Sequence, residues 1–259
     1  MRSRIFYFSS TGNTLFAARR LALGLGAQSP ESIVPMRDGV KDEAAATVGL
    51  CFPVYLHKAP SILRDFVARS RFGKDAYVFA LATHNGGPGS CMRGVDAALR
   101  RGGSSLAAGF GLLMPGNSVI LADLTNAPEE RARRLAESDA AIAAVAARVL
   151  AREENDFSMR ESPRAWAQSR AYAAALAAYR LPRHFHASQD CSRCGLCSRA
   201  CPRDNVELGA YGPSWGGDCL SCLACYHACP LRAIDIDEYT RARLRYRHPS
   251  IRLEELLYR

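Results

Sequence analysis

Residues 5–25 read IFYF-SSTGNT-LFAARRLALGL, and the fold class turns on them. Ile5–Phe8 is a short continuous apolar run, as in a strand covered on both faces. After six small polar residues, apolar side chains return at 15, 16, 18, 21, 22 and 25, the spacing of an amphipathic helix. Strand, tight polar turn and helix make the first half of a βαβ unit. Outward from it, the pattern predicts a weak second strand at Ser32–Pro35 and a third at Thr47–Phe52. It then predicts a helix at Pro60–Ser70, its Pro in the first turn where a missing N–H costs nothing. A fourth strand at Ala76–Thr83, a helix at Ser90–Arg101 and a fifth strand at Ser105–Met114 complete an α/β doubly wound parallel sheet.

The sequence predicts four regions. Residues 1–155 hold the sheet and its helices, ending in an Ala-rich helix that opens at Pro128-Glu129-Glu130 with acids at the positive dipole end. Residues 156–183 form a helical connector starting at Ser162-Pro163 and carrying Trp166, Tyr172, Leu176 and Tyr179. Residues 184–238 are a small cysteine domain, and 239–259 a basic tail. With 48% hydrophobic and 23% charged residues the 259-residue chain is of ordinary globular composition. No apolar stretch reaches the roughly 20 residues of a membrane span, and the run after Arg4 is too short for a secretory signal. The expectation is a soluble, cytoplasmic protein. Of 34 basic residues only Lys41, Lys58 and Lys74 are lysines, a bias better explained by coding composition than by nucleic-acid binding.

Eight of the ten cysteines fall within residues 191–229 as a repeat. Cys191-x2-Cys194-x2-Cys197-x3-Cys201-Pro202 is followed by Cys219-x2-Cys222-x2-Cys225-x3-Cys229-Pro230, and β-like residues follow each Pro (Asn205–Leu208 and Ala233–Ile236). Zinc and disulfides are the competing readings. Structural zinc uses paired CxxC units with longer gaps and four ligands in total, which the triple step fits badly. The two runs resemble the bacterial two-cluster ferredoxin domain, in which the fourth Cys of each run serves the other [4Fe–4S] cluster. The resemblance implies one ligand set of Cys191, Cys194, Cys197 and Cys229, and another of Cys219, Cys222, Cys225 and Cys201. Cys51 and Cys91, on the third strand and at a helix start, read as buried apolar residues.

Ser9-Ser10-Thr11-Gly12-Asn13-Thr14 offers hydroxyls and a helix N-terminus to an anion without any Lys or Arg; a helix-capping cluster with no ligand is the plainer alternative. Ser9, Thr11, Gly12, Asn13 and Thr14 match the T/S-x-T-G-x-T loop of the flavodoxin family, and the chain resembles that family here. The resemblance implies a flavodoxin-like fold and FMN, with its 5′-phosphate in this loop. It also places the ring between Pro53, Val54, Tyr55 and Leu56 after the third strand and Thr83, His84, Asn85, Gly86 and Gly87 after the fourth. Tyr55 could stack on the flavin or simply pack its loop, and His84 could tune the flavin or be an ordinary loop residue. No acidic cluster flanks these loops, which carry His57 and Lys58 instead.

Taken together, residues 4–238 resemble the EFR1-type flavodoxin–ferredoxin fusion family of anaerobes. That resemblance implies an iron–sulfur flavoprotein, with electron transfer between FMN and two [4Fe–4S] clusters coupling one- and two-electron redox partners. The alternative is an FMN-dependent reductase of a small molecule, fed through the clusters. The expected partner is a redox protein or a small-molecule acceptor, with room for a homodimer and no membrane span. Two clusters and FMN bring the formal charge of +9 down to about +3, which leaves little case for nucleic acid. The tail arginines Arg241, Arg243, Arg245, Arg247 and Arg252 read as a solvated face or a docking patch.

Overall fold

The computed structural model describes all residues except 1, 28, 30, 31, 43, 121 and 158–162. Two compact units emerge. The first comprises residues 1–9, 13–115 and 127–169; the second comprises 10–12, 116–126 and 170–259.

The first unit is built on β1 (Ser3–Tyr7), α1 (Asn13–Gly24), β2 (Ile33–Pro35), β3 (Lys41–Asp42), β4 (Thr47–Pro53), α2 (Ser61–Arg69), β5 (Arg71–Phe72), β6 (Tyr77–His84), α3 (Cys91–Arg101), β7 (Ala108–Leu113) and α4 (Pro128–Leu150). The five-stranded sheet runs β2-β1-β4-β6-β7 with every pairing parallel. Counted among themselves, these strands have the order 2-1-3-4-5, the flavodoxin-like doubly wound topology. The central strands β4 and β6 are buried almost end to end, whereas the edge strand β7 alternates, with Ala108, Phe110 and Leu112 inside. That contrast follows from helices covering both faces at the centre and less at the rim. Ile5, Leu21, Phe79, Leu81, Phe110, Ile142 and Val149 share one core cluster. Gly49 is required in β4, since a Cβ there would sit 2.6 Å from the Phe79 ring and 2.7 Å from Ile5 Cδ1.

Boundaries moved where local hydrogen bonds outweighed periodicity. The fifth sheet strand starts at Ala108 rather than Ser105, because Ser104 N–H bonds Leu99 O and Leu106 N–H bonds Asp96 Oδ1, holding that segment to the end of α3. Pro60 is extended (φ −63°, ψ 152°) and precedes α2 instead of lying in its first turn. The two-residue pair β3–β5 carried no periodic signal. Ser162 and the Trp166 side chain lie outside the described residues.

The second unit contains most of α5 (Pro163–Tyr179), β8 (Phe185–Ala187), α6 (Leu196–Arg199), β9 (Val206–Gly209), β10 (Gly212–Trp215), α7 (Ala224–Ala228) and β11 (Ile234–Ile236). β9 and β10 form a hairpin and β11 pairs antiparallel with β8. β8 and β10 were not foreseen; three residues, or the turn-like sequence Gly-Pro-Ser-Trp, leave too little pattern to read. Tyr226 is fully buried with Val119, Ile234 and Ile236. The Arg245 guanidinium lies 3.4 Å from the Tyr226 ring centroid and pairs with buried Asp235 at 2.8 Å. Arg243 lies over the Tyr239 ring and donates to Val119 O. Two tail arginines are thus structural, whereas Arg241, Arg247 and Arg252 are exposed. None of the helices among the described residues is long and apolar enough to cross a membrane.

Candidate functional site

None of the ten cysteines is joined in a disulfide. Cys191, Cys194, Cys197 and Cys229 line one cavity, together with Arg193, Gly195, Leu208 and Leu231. Cys201, Cys219, Cys222 and Cys225 line another, together with Phe185, Asn205 and Trp215. The fourth Cys of each run lies with the three of the other run. Each cavity encloses some 330–340 Å³ of space not filled by atoms, open solvent included.

The backbone repeats with the sequence. Left-handed residues occur two and four positions after each leading cysteine: Arg193 (φ +55°) and Gly195 (+76°) after Cys191, Ser221 (+55°) and Leu223 (+61°) after Cys219. Another occurs three positions after each Cys-Pro cysteine, at Asp204 (+52°) and Arg232 (+51°). Alternating right- and left-handed residues turn successive N–H groups inward, a concavity suited to anions. Five of these six are not glycine and carry strain of order 1–3 kcal/mol each, a pattern that marks functional sites.

Sulfur atoms already accept hydrogen bonds in matching positions. Asn205 N–H points to Cys201 Sγ (3.3 Å) and Ala233 N–H to Cys229 Sγ (3.3 Å), each four residues on. Ser221 N–H reaches Cys219 Sγ and the Trp215 indole N–H reaches Cys225 Sγ, both at 3.4 Å. Burial pushes the Cys197 thiol up to about 11 and Cys222 to about 12, and raises Cys219 and Cys225 as well. These thiols are therefore protonated at neutral pH, and a metal binding them would have to displace their protons. Among the described residues no three His, Cys, Asp or Glu side chains are close enough to hold one metal ion.

The Ser9–Thr14 turn is less open. Ser9, Ser10, Thr11, Asn13 and Thr14 are each at most 8% exposed. Thr14 Oγ1 bonds Thr83 Oγ1 and the Asn13 amide donates to Pro115 O, both at 2.8 Å. Thr11 Oγ1 accepts from the Asn117 amide (2.8 Å), and Thr11 O accepts from His248 N–H (2.8 Å). Gly12 has φ +99°, and a Cβ there would meet His248 Cβ and Ile251 Cβ at 3.0 Å. The glycine therefore has a structural account in the segment laid over it. A phosphate at this turn would be held by backbone N–H groups at the head of α1 and by its dipole rather than by these side chains. Ser10 and Thr11 also line a small cavity with His227, Tyr246 and Arg247.

The two ring loops are tied together at their roots, Val54 N–H donating to Thr83 O at 2.9 Å. Tyr55 and Lys58 exchange both backbone hydrogen bonds at 2.9 Å across left-handed Leu56 (φ +50°) and His57 (φ +61°). Such a turn prefers Asn or Gly, so it too is strained. Half-buried Tyr55 stands edge-on to Phe8, ring centroids 6.3 Å apart. Gly86 and Gly87 have open space where a side chain would project. His84 Nδ1 is buried with no hydrogen-bond partner among the described residues. Burial first, and the Arg134 charge second, hold its imidazole below the usual range, hence neutral near pH 7.

Arg134, which the sequence reading passed over, organises this end of the sheet. Its guanidinium donates to Asn85 O and Met114 O at 3.0 Å, bonds Asn85 Oδ1, and pairs with Glu130 at 2.6 Å. Its only sequence signal was a Glu four residues earlier, which reads as a routine surface pair. Cys51 and Cys91 are buried, at 0% and 1% exposed.

No protein-family model matches the chain, and no curated protein matches it. Among solved structures, the chain is similar to a flavodoxin from the domain Archaea (13% identity, 58% of this chain and 99% of that one, TM-score 0.36). It is similar also to the flavodoxin of Streptococcus pneumoniae TIGR4 (18% identity, 54% and 99%, TM-score 0.34). A third is the two-electron reduced flavodoxin of Megasphaera elsdenii (14% identity, 54% and 98%, TM-score 0.32). At these scores it is the strand order, read from the chain itself, that assigns the flavodoxin-like fold.

Proposed function

We propose that the chain is an iron–sulfur flavoprotein of the EFR1-type fusion kind, passing electrons between FMN and two [4Fe–4S] clusters in anaerobic metabolism. In this reading Cys191, Cys194, Cys197 and Cys229 hold one cluster, and Cys201, Cys219, Cys222 and Cys225 the other. The observation that carries it is the crossed partition of eight cysteines into two four-thiol cavities, each bordered by matching left-handed residues. FMN accepts one or two electrons and each cluster one, so the pair would supply conversion between the two currencies.

The chain's own contribution is electrostatic. N–H groups directed at Cys201, Cys219, Cys225 and Cys229 stabilise added negative charge on the sulfurs. The flavin reading is supported by the sheet order, which puts the carboxyl ends of β1, β4 and β6 side by side where open α/β sheets bind ligands. There Ser9, Thr11, Gly12, Asn13 and Thr14 would anchor the phosphate. Pro53–Leu56 and Thr83–Gly87 would frame the ring, with Arg134 fixing Asn85 and lending positive charge. Anaerobic purification with iron, sulfide and flavin measured on one sample tests the proposal. About eight irons and one FMN per chain are expected; zinc in place of iron, or iron without flavin, overturns one half of it.

A further inference from the structure

The two cages differ in a way that assigns them different jobs. Cys194 is the one exposed cysteine in the chain, and its cavity is lined by Leu208 and Leu231, which are 42% and 52% exposed. Tyr211, at the tip of the β9–β10 hairpin, is completely exposed. Arg193 Nη1 donates to Ala210 O at 2.7 Å and so pins that tip beside the Cys191–Cys197 loop. Single exposed apolar residues need no explanation, but three gathered round one thiol cage form a patch of the kind that marks an interface. Tyr and Arg are the side chains most enriched at such contacts.

Charge distinguishes the cages as well. At the left-handed positions, the Cys194 cage carries Arg193 and Arg232 where the other carries Ser221 and Asp204. No carboxylate lines either cavity; what differs is that neither Arg193 nor Arg232 is in an ion pair among the described residues. Round the other cage, Asp204 is paired with Arg259 at 2.7 Å and Asp218 with Arg203 at 3.8 Å. Round the second cage the arginines and acids are paired with each other; round the first, Arg193 and Arg232 stay unpaired beside exposed apolar surface, the exposed acids next to it in sequence being Asp190 and Glu207.

We infer that the Cys191/Cys194/Cys197/Cys229 cage is the electron port of the protein, with Arg193, Arg232, Leu208, Tyr211 and Leu231 forming a docking patch for a small acidic one-electron carrier protein. The inference rests on the iron–sulfur reading above. Per encounter the carrier loses one electron and the chain gains one; no bond forms or breaks and no proton is needed. Apolar contact at Leu208, Tyr211 and Leu231 would hold the encounter, while the arginines would steer it.

The test uses the full chain, purified anaerobically, with iron content measured first. Its reduction is followed by stopped flow with two probes: a chemically reduced acidic two-cluster ferredoxin and the methyl viologen radical cation. The variant Tyr211→Glu, or the milder Tyr211→Ala, is expected to slow the ferredoxin reaction about tenfold. Both should leave the viologen rate within about twofold. Raising salt should slow the wild-type ferredoxin reaction and slow that of Arg232→Ala less. Iron-loaded variants that react with ferredoxin at the wild-type rate, or that slow equally with both probes, overturn the port assignment. A wild-type chain without iron overturns the iron–sulfur reading instead.

Discussion

The two units are held together by different physics. In the first, Ile5, Phe6, Phe8, Leu50, Phe52, Phe66 and Phe79 have no exposed surface, and three strands of five to eight residues run through the middle of the sheet. In the second, α6 and α7 span only four and five residues, and among the described residues no strand exceeds four and Tyr226 alone of the large rings is fully buried. Where the first unit has packed aliphatic and aromatic side chains, the second has two thiol-lined cavities. A sheet core is complete when the chain is; under the iron–sulfur reading proposed above, a cage would be complete only with its cluster.

Under the same iron–sulfur reading, the strongest way to break that comparison is to strip the iron. Chelation should raise amide exchange throughout residues 191–236 to near the unfolded level while β1, β4 and β6 stay protected, read by exchange mass spectrometry. Uniform protection in both would show that the second unit needs no guest. Next in size is Phe79→Ala, expected to cost about 3–5 kcal/mol of stability in urea unfolding followed on the first unit. Exchange across residues 191–236 should change little.

A smaller effect concerns pH. His84 is held below the ordinary histidine range when folded, so the unfolded chain binds the extra proton first. Its contribution to stability is therefore complete above about pH 6.5 and falls as pH drops through that value. His84→Gln should flatten the decline in urea midpoint between pH 7.5 and 5.5 relative to wild type; an unchanged slope would refute it. The least change is expected for Arg133→Ala, whose pairs with Glu130 and Glu137 lie on the exposed face of α4. Its melting temperature should match wild type within error.

Legibility in the sequence followed the same division. The sheet could be read almost strand by strand because a strand covered on both faces is a continuous apolar run, as in Thr47–Pro53 and Tyr77–His84. The thiol partition was legible through resemblance, since a ligand spacing is a property of the backbone loop and survives in the letters. What stayed hidden depends on distant partners. Arg134 gave no hint that it would reach Asn85 and Met114, nor Trp215 that its indole would face Cys225. Nothing in Asn117 or His248 announced bonds to Thr11. Arg245 looked like one more cation in a basic tail until Asp235 and Tyr226 enclosed it.

The cover over Ser10–Gly12 carries a consequence for biosynthesis. His248 and Ile251 leave the ribosome long after the turn they close, and a contact between such remote stretches is slow to form. Throughout translation the Ser10–Gly12 turn is therefore uncovered on that side until residues 248–251 have been made and have folded onto it.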